Sequence, residues 1–170
     1  MNKYKLAGFF LWITLSVSAQ DIIKSFVDKH DKDDNLQVVT IGKKMIQTLD
    51  SLTSDNPKLK EAIKGLETIR IVSSKDSDAD REYYNSARDL LSKNKDLKEL
   101  FSMDEKDKEL IVMIREAKDS VKELILLSEQ PDEFSLISIS GTIDLDVLLK
   151  YSEGLHIKEL NQLKTIRRNQ

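Results

Sequence analysis

The spacing of hydrophobic positions changes period several times along the chain, and each change marks an element. Between Asp21 and His30, the residues Ile22, Ile23, Phe26 and Val27 share one face at helical spacing, which predicts an amphipathic opening helix. The polar run 31–35 ends it. Residues 36–41 (LQVVTI) are short, apolar and β-branched, and read as a strand broken by Gly42. Met45, Ile46, Leu49 and Leu52 then return to the helical period. Asn56 and Pro57 open a further short helix, Asn as cap and Pro at the first helical position, where its missing N–H costs nothing. Leu59 and Ile63 face inward, and Gly65 closes the helix. In residues 66–73 (LETIRIVS), Ile69 and Ile71 alternate with Arg70, the mark of a second strand. The two helices between these strands form a crossover of the length that parallel pairing needs.

After a polar stretch, Asp78 is the expected cap of a helix running to Lys93, with Tyr84, Ala87, Leu90 and Leu91 on its buried face. Asn94 can close it in the left-handed conformation. A brief strand is expected near 99–103. Residues 105–127 support two readings. At period 3.6, Leu110, Ile111, Ile114, Ala117, Val121, Leu124 and Ile125 form one continuous stripe; at period 2, 110–115 and 121–127 are two strands around a turn at 116–120. Helix-forming residues favour the first reading, and the β-branched pair Ile111-Val112 favours the second.

The clearest unit is 121–154. Two apolar runs, 121–128 and 134–140, flank Glu129-Gln130-Pro131-Asp132-Glu133, a sequence with the chemistry of a turn. Beyond Gly141 the period lengthens: Asp144 is an N-cap, Leu145, Leu148 and Leu149 form a stripe, and Gly154 is the expected stop. Ile157, Leu160 and Leu163 then keep the register of a short closing helix. The whole reads as a single α+β domain over 20–170, with a mostly antiparallel sheet and helices packed on one face.

Residues 1–19 stand apart from that pattern. Lys3 and Lys5 precede an uncharged stretch from Leu6 to Val17, and Val17-Ser18-Ala19 places small or medium residues where a signal peptidase reads. The apolar run is short for a membrane span, so a cleaved signal peptide and a periplasmic or secreted mature chain are expected, with no stable membrane span after cleavage. Cleavage removes two lysines and takes the formal charge from 27 − 30 = −3 to 25 − 30 = −5. That mild acidity, with Lys and Arg spread along the chain, argues against a nucleic-acid partner. The chain has no cysteine, so stability must come from its core alone.

No constellation of catalytic side chains emerges. Asp31-Lys32-Asp33-Asp34-Asn35 opens like a calcium loop, but Leu36 and Gly42 occupy positions that require Gly and Glu. Asp76-Ser77-Asp78-Ala79-Asp80 fails in the same way at Arg81 and Ala87, and both runs read as acidic turns beside helices. His30 and His156 are the only histidines, too few for a zinc site, and His156 with Glu159 makes only an isolated pair. Ser138 and Ser140 lack nucleophile machinery, and the five glycines form no phosphate-binding pattern. Asp144 and Asp146 suit a helix N-terminus. Of the adjacent pair Tyr83-Tyr84, one ring is expected inside and one outside. No catalytic, cofactor-binding or metal-binding residue is therefore assigned, and no cofactor.

The order of segments VVTIGKKMIQTL, ETIRIVS and above all EFSLISISGTIDL at 133–145 resembles a family of uncharacterised exported proteins of Bacteroidetes. That family is a domain of unknown function, often with a lipoprotein-type signal. The resemblance implies a β-hairpin at 110–127, so both segments are taken as strands; it supplies no activity or site residue. The expected role is non-catalytic: interaction with an unidentified envelope protein, or envelope-linked sensing. A small apolar-ligand or lipid carrier is the alternative, and would need an apolar cavity of several hundred Å3.

Overall fold

The computed structural model describes residues 21–31, 33–52, 57–74, 77–118, 120–131, 133–150 and 159–160. The opening helix α1 (Ile22–Lys29) is capped by Asp21, whose carboxylate accepts from the Lys24 N–H at 3.0 Å. Strand β1 (Leu36–Gly42) leads directly into α2 (Lys43–Leu52), and α3 (Pro57–Ile63) returns the chain to β2 (Leu66–Ser74). A 3-10 turn at Ser77–Ala79 precedes α4 (Asp80–Lys93). Four strands follow, β3 (Leu97–Glu105), β4 (Lys108–Ala117), β5 (Ser120–Gln130) and β6 (Glu133–Ile143), and then α5 (Leu145–Lys150). The strands form one six-stranded sheet in the order β1-β2-β6-β5-β4-β3, antiparallel at every pairing.

The α+β class and the antiparallel sheet are as expected, and 105–127 is the hairpin rather than the rod. Parallel pairing of β1 with β2 is not what forms. Gly42 opposes Thr68 and Leu36 opposes Ser74, so the two strands run antiparallel. One crossing helix would carry the chain to the far end of the sheet; two short helices bring it back to the end it left.

Helices cover both faces, one layer more than expected. The central strands are apolar at successive positions, so neither face can be left to water. Leu124 and Leu126 of β5, with Ile137 and Ile139 of β6, point into a core closed by Ile46 of α2, Ile63 of α3, Leu148 and Leu149 of α5, and Leu160. Ile125, Leu127, Phe134 and Leu136 point the other way, against Ile22, Ile23 and Phe26 of α1 and Tyr83, Tyr84, Ala87 and Leu91 of α4.

Local departures from the expected pattern have simple causes. Ala79, not Asp78, stands at the N-cap of α4, because the 3-10 turn uses up the residues before it. Asn94 closes α4 in an extended conformation (φ −91°, ψ 102°), leading straight into β3 with no left-handed residue. Tyr83 and Tyr84 are both buried, at 1% exposure each. The helix α4 packs against both the sheet and α1, so its buried face is wide enough for both rings. Tyr83 meets Phe26, His30 and Phe134 at ring distances of 6.4, 5.4 and 5.7 Å, and its hydroxyl donates to Asp33. The expectation of one ring inside and one outside is therefore not met. Asp144 does cap α5, accepting from the Val147 N–H at 3.1 Å. The expected stop at Gly154 and the stripe positions Ile157 and Leu163 lie outside the described residues; Glu159 and Leu160 are helical, and both are buried.

Candidate functional site

The feature least explained by folding is the outer edge of β1. It is the terminal strand of the sheet, so its outward N–H and C=O groups have no strand partner among the described residues. Its residues Gln37, Val38, Val39 and Thr40 are exposed, Val38 at 46% and Val39 at 41%. Val38 opposes Val72 on the face of α1 and α4, and Val39 opposes Ile71 on the face of α2, so apolar surface shows on both sides of the strand. Met45 of α2, placed by its spacing on a buried stripe, is exposed nearby at the start of that helix.

Beyond the rim of α1, the sheet carries a polar groove of about 300 Å3, lined by Asp21, Thr68, Arg70, Arg115, Lys122, Glu123, Ser138 and Ser140. Register builds it: Arg115 of β4 faces Glu123 of β5, which faces Ser140 of β6, while Arg70 of β2 faces Ser138 of β6. Glu123 accepts from Arg115 Nε at 3.0 Å and from Ser138 Oγ at 2.8 Å, using both carboxylate oxygens. Arg115 is only 9% exposed and also reaches Asn94 and Asp96, yet its Nη2 has no hydrogen-bond partner among the described residues. Arg70 donates to Asp21. Burial pushes the Asp21 carboxyl up, but the Lys24 N–H and the Arg70 guanidinium together hold it below its ordinary 3.8.

A second groove, about 270 Å3, lies at the other end of the sheet and is lined by residues including Asp80, Arg81, Glu105, Glu109 and Glu129. Arg81 donates to both Glu109 and Glu129 and sits over the Tyr84 ring at 5.5 Å. Burial, and the carboxylate of Glu109 that its hydroxyl meets, push the Tyr84 phenol well up. Burial acts to raise the Glu109 carboxyl, but Arg81, the Tyr84 hydroxyl and Arg88 outweigh it and hold it below the ordinary 4.5. A depressed folded value means that the stability Glu109 contributes is complete above the unfolded value and is lost as pH falls through the folded one. Urea midpoints measured from about pH 6 down to about pH 3 should therefore decline less steeply in Glu109→Gln than in the wild type.

In the first groove Arg70 pairs with Asp21 and Arg115 with Glu123, and in the second Arg81 pairs with Glu109 and Glu129. Among the described residues no three His, Asp or Glu side chains gather as metal ligands. His30 is half-buried, its ring tilted 4.7 Å from that of Phe26 and its Nε2 3.0 Å from Ser86 Oγ; His156 lies outside the described residues. In the first acidic run, Asp33 accepts from the Asn35 N–H and the Tyr83 hydroxyl. In the second, Asp80 is buried and accepts from Ser74. The two polar clusters escaped sequence reading because each joins residues from separate elements, Arg81 of α4 with Glu109 and Glu129 of β4 and β5, and Arg115, Glu123 and Ser138 of three strands. The available signal was a charge, Arg115 or Glu123, inside an otherwise apolar strand.

Searches of curated proteins and of solved structures find no match to the chain. A family model does match, over residues 29–151, which takes in every strand of the sheet and α2 to α5. The match spans more than half of the 170-residue chain, and the protein belongs to the family described as Domain of unknown function (DUF4252).

Proposed function

We propose that the protein is a non-catalytic interaction module of the cell envelope that binds a partner protein through the outer edge of β1. The observation that carries this reading is an uncharged, apolar edge strand exposed on both faces. Edge strands left in that state template pairing with another chain, and soluble proteins normally blunt them with charge, proline or a bulge. The leader-like pattern of residues 1–19 supports an exported location. The polar clusters support a non-catalytic role, since Arg115 is matched by Glu123, and Arg81 with Arg88 matches Glu109 and Glu129.

The test is capture from the native envelope, comparing the wild type with Val38→Lys and Val39→Lys. These two sites are exposed, so each variant should keep the wild-type circular dichroism and melting profile. The wild type should retain a bound protein that both variants lose. Recovery of the same proteins by wild type and variants would overturn the reading.

A further inference from the structure

The two edges of the sheet are built differently. The outer strand β3 (LKELFSMDE) carries Lys98, Glu99, Asp104 and Glu105 and has a register shift between Glu99 and Phe101, features that discourage pairing. The strand β1 (LQVVTIG) has no charge and no proline, and pairs with β2 in unbroken register from Leu36 to Gly42. Its outer side is straight and neutral. Its charges sit just beyond its ends, with Asp33 and Asp34 before the strand and Lys43 and Lys44 after it. Asp33 is occupied by Tyr83 and Asn35, and Lys43 is 3.5 Å from Glu67; Asp34 and Lys44 are both exposed.

We infer that β1 pairs antiparallel with β1 of a second copy of this chain, about a two-fold axis at Val39, joining the two sheets edge to edge. The inference rests on the interaction-module reading and names the partner. Charge complementarity selects it. An antiparallel pair about that axis sets the acidic end of β1 in one copy, Asp33 and Asp34 in the preceding turn, at the basic end of β1 in the other, Lys43 and Lys44 in the first turn of α2, twice. Parallel pairing in register would instead set Asp34 against Asp34 and Lys44 against Lys44. Within the strand the same axis opposes Val39 to itself, Val38 to Thr40, Gln37 to Ile41 and Leu36 to Gly42, and no pair carries a charge. Such a contact is isologous and self-limiting, because β3, the only other edge among the described strands, is guarded.

Sedimentation equilibrium over a wide concentration range tests this. The wild type should rise from the monomer to twice the monomer mass and no further. Asp34→Lys should weaken association by on the order of ten-fold by setting like charges together twice, and Asp34→Lys with Lys44→Asp should restore it. Both sites are exposed, so folding is not at stake. The chain has no cysteine, so Val39→Cys introduces a single thiol at the axis and should form a covalent dimer on mild oxidation. Leu100→Cys, exposed on β3, should not. A wild type that stays monomeric at every concentration, or a charge swap that fails to restore association, overturns the inference. If a monomeric wild type still captures a different envelope protein through β1, the inference falls and the interaction-module reading stands. If it captures none, both fall.

Discussion

Gly141→Ala is expected to destabilise the fold by about 3 kcal/mol or more, from backbone strain and overpacking together. Gly141 has φ +142°, and a Cβ there would lie 2.3 Å from the Gly65 carbonyl oxygen and 2.8 Å from the Leu66 Cα. Both obstacles are backbone, so no side chain can swing aside to make room. Gly65 is the counterpart: at φ +89° its own Cβ would lie 2.5 Å from the Thr142 carbonyl oxygen, and its carbonyl accepts the Thr142 N–H at 2.8 Å. The two glycines let β6 cross the start of β2 at the register shift between Leu66 and Thr68, where α3 hands the chain to the sheet. Gly42→Ala supplies the control. A Cβ there meets nothing within 4 Å, so the change should stay within about 0.5 kcal/mol. Urea unfolding of the two variants against the wild type checks both statements. Equal midpoints for Gly141→Ala and Gly42→Ala would show that the close approach is not tight.

Phe134→Ala should cost about 3–5 kcal/mol, the range for emptying a buried aromatic site. Phe134 is fully buried, stacked 5.5 Å from Phe26 and tilted 5.7 Å from Tyr83, so one ring joins α1, α4 and β6. Loss should be uneven across the molecule. The helix α1 is eight residues long, too short to be stable without tertiary packing, and Phe26 is its most buried anchor. Hydrogen exchange in Phe134→Ala should therefore speed up in α1 before it does in β4 and β5. Uniform acceleration would mean that α1 is held by contacts other than the aromatic cluster.

How much of this could be read in advance follows from range. The cap at Asp144, the turn at 129–133 and the apolar face of α1 are local and legible, because the deciding residues lie within a few positions of each other. The hairpin at 110–127 was not legible from period alone. Leu110, Ile114, Val121 and Leu124 satisfy a helical stripe as well as a strand pair, and only the family resemblance broke the tie. The second helical layer was foreshadowed by the consecutive apolar run Leu124–Leu127, which no one-sided sheet can tolerate, but its helices match their strands only once register is known. Tyr83 illustrates the same limit, since its surroundings come from α1 and β6, more than fifty residues apart on either side of the helix that carries it. Of the candidate site, the neutral run 36–41 was visible as a strand. That it ends the sheet was not, because the strand order is set by pairings that span most of the chain.

Hydrogen exchange of the two edge strands at rising protein concentration tests the central claim most directly. With β1 as the associating edge, its amides should gain protection as concentration increases while those of the charged edge β3 stay fast. Exchange in β1 that ignores concentration, and ignores added envelope extract as well, would contradict the assignment of this edge as the protein's working surface.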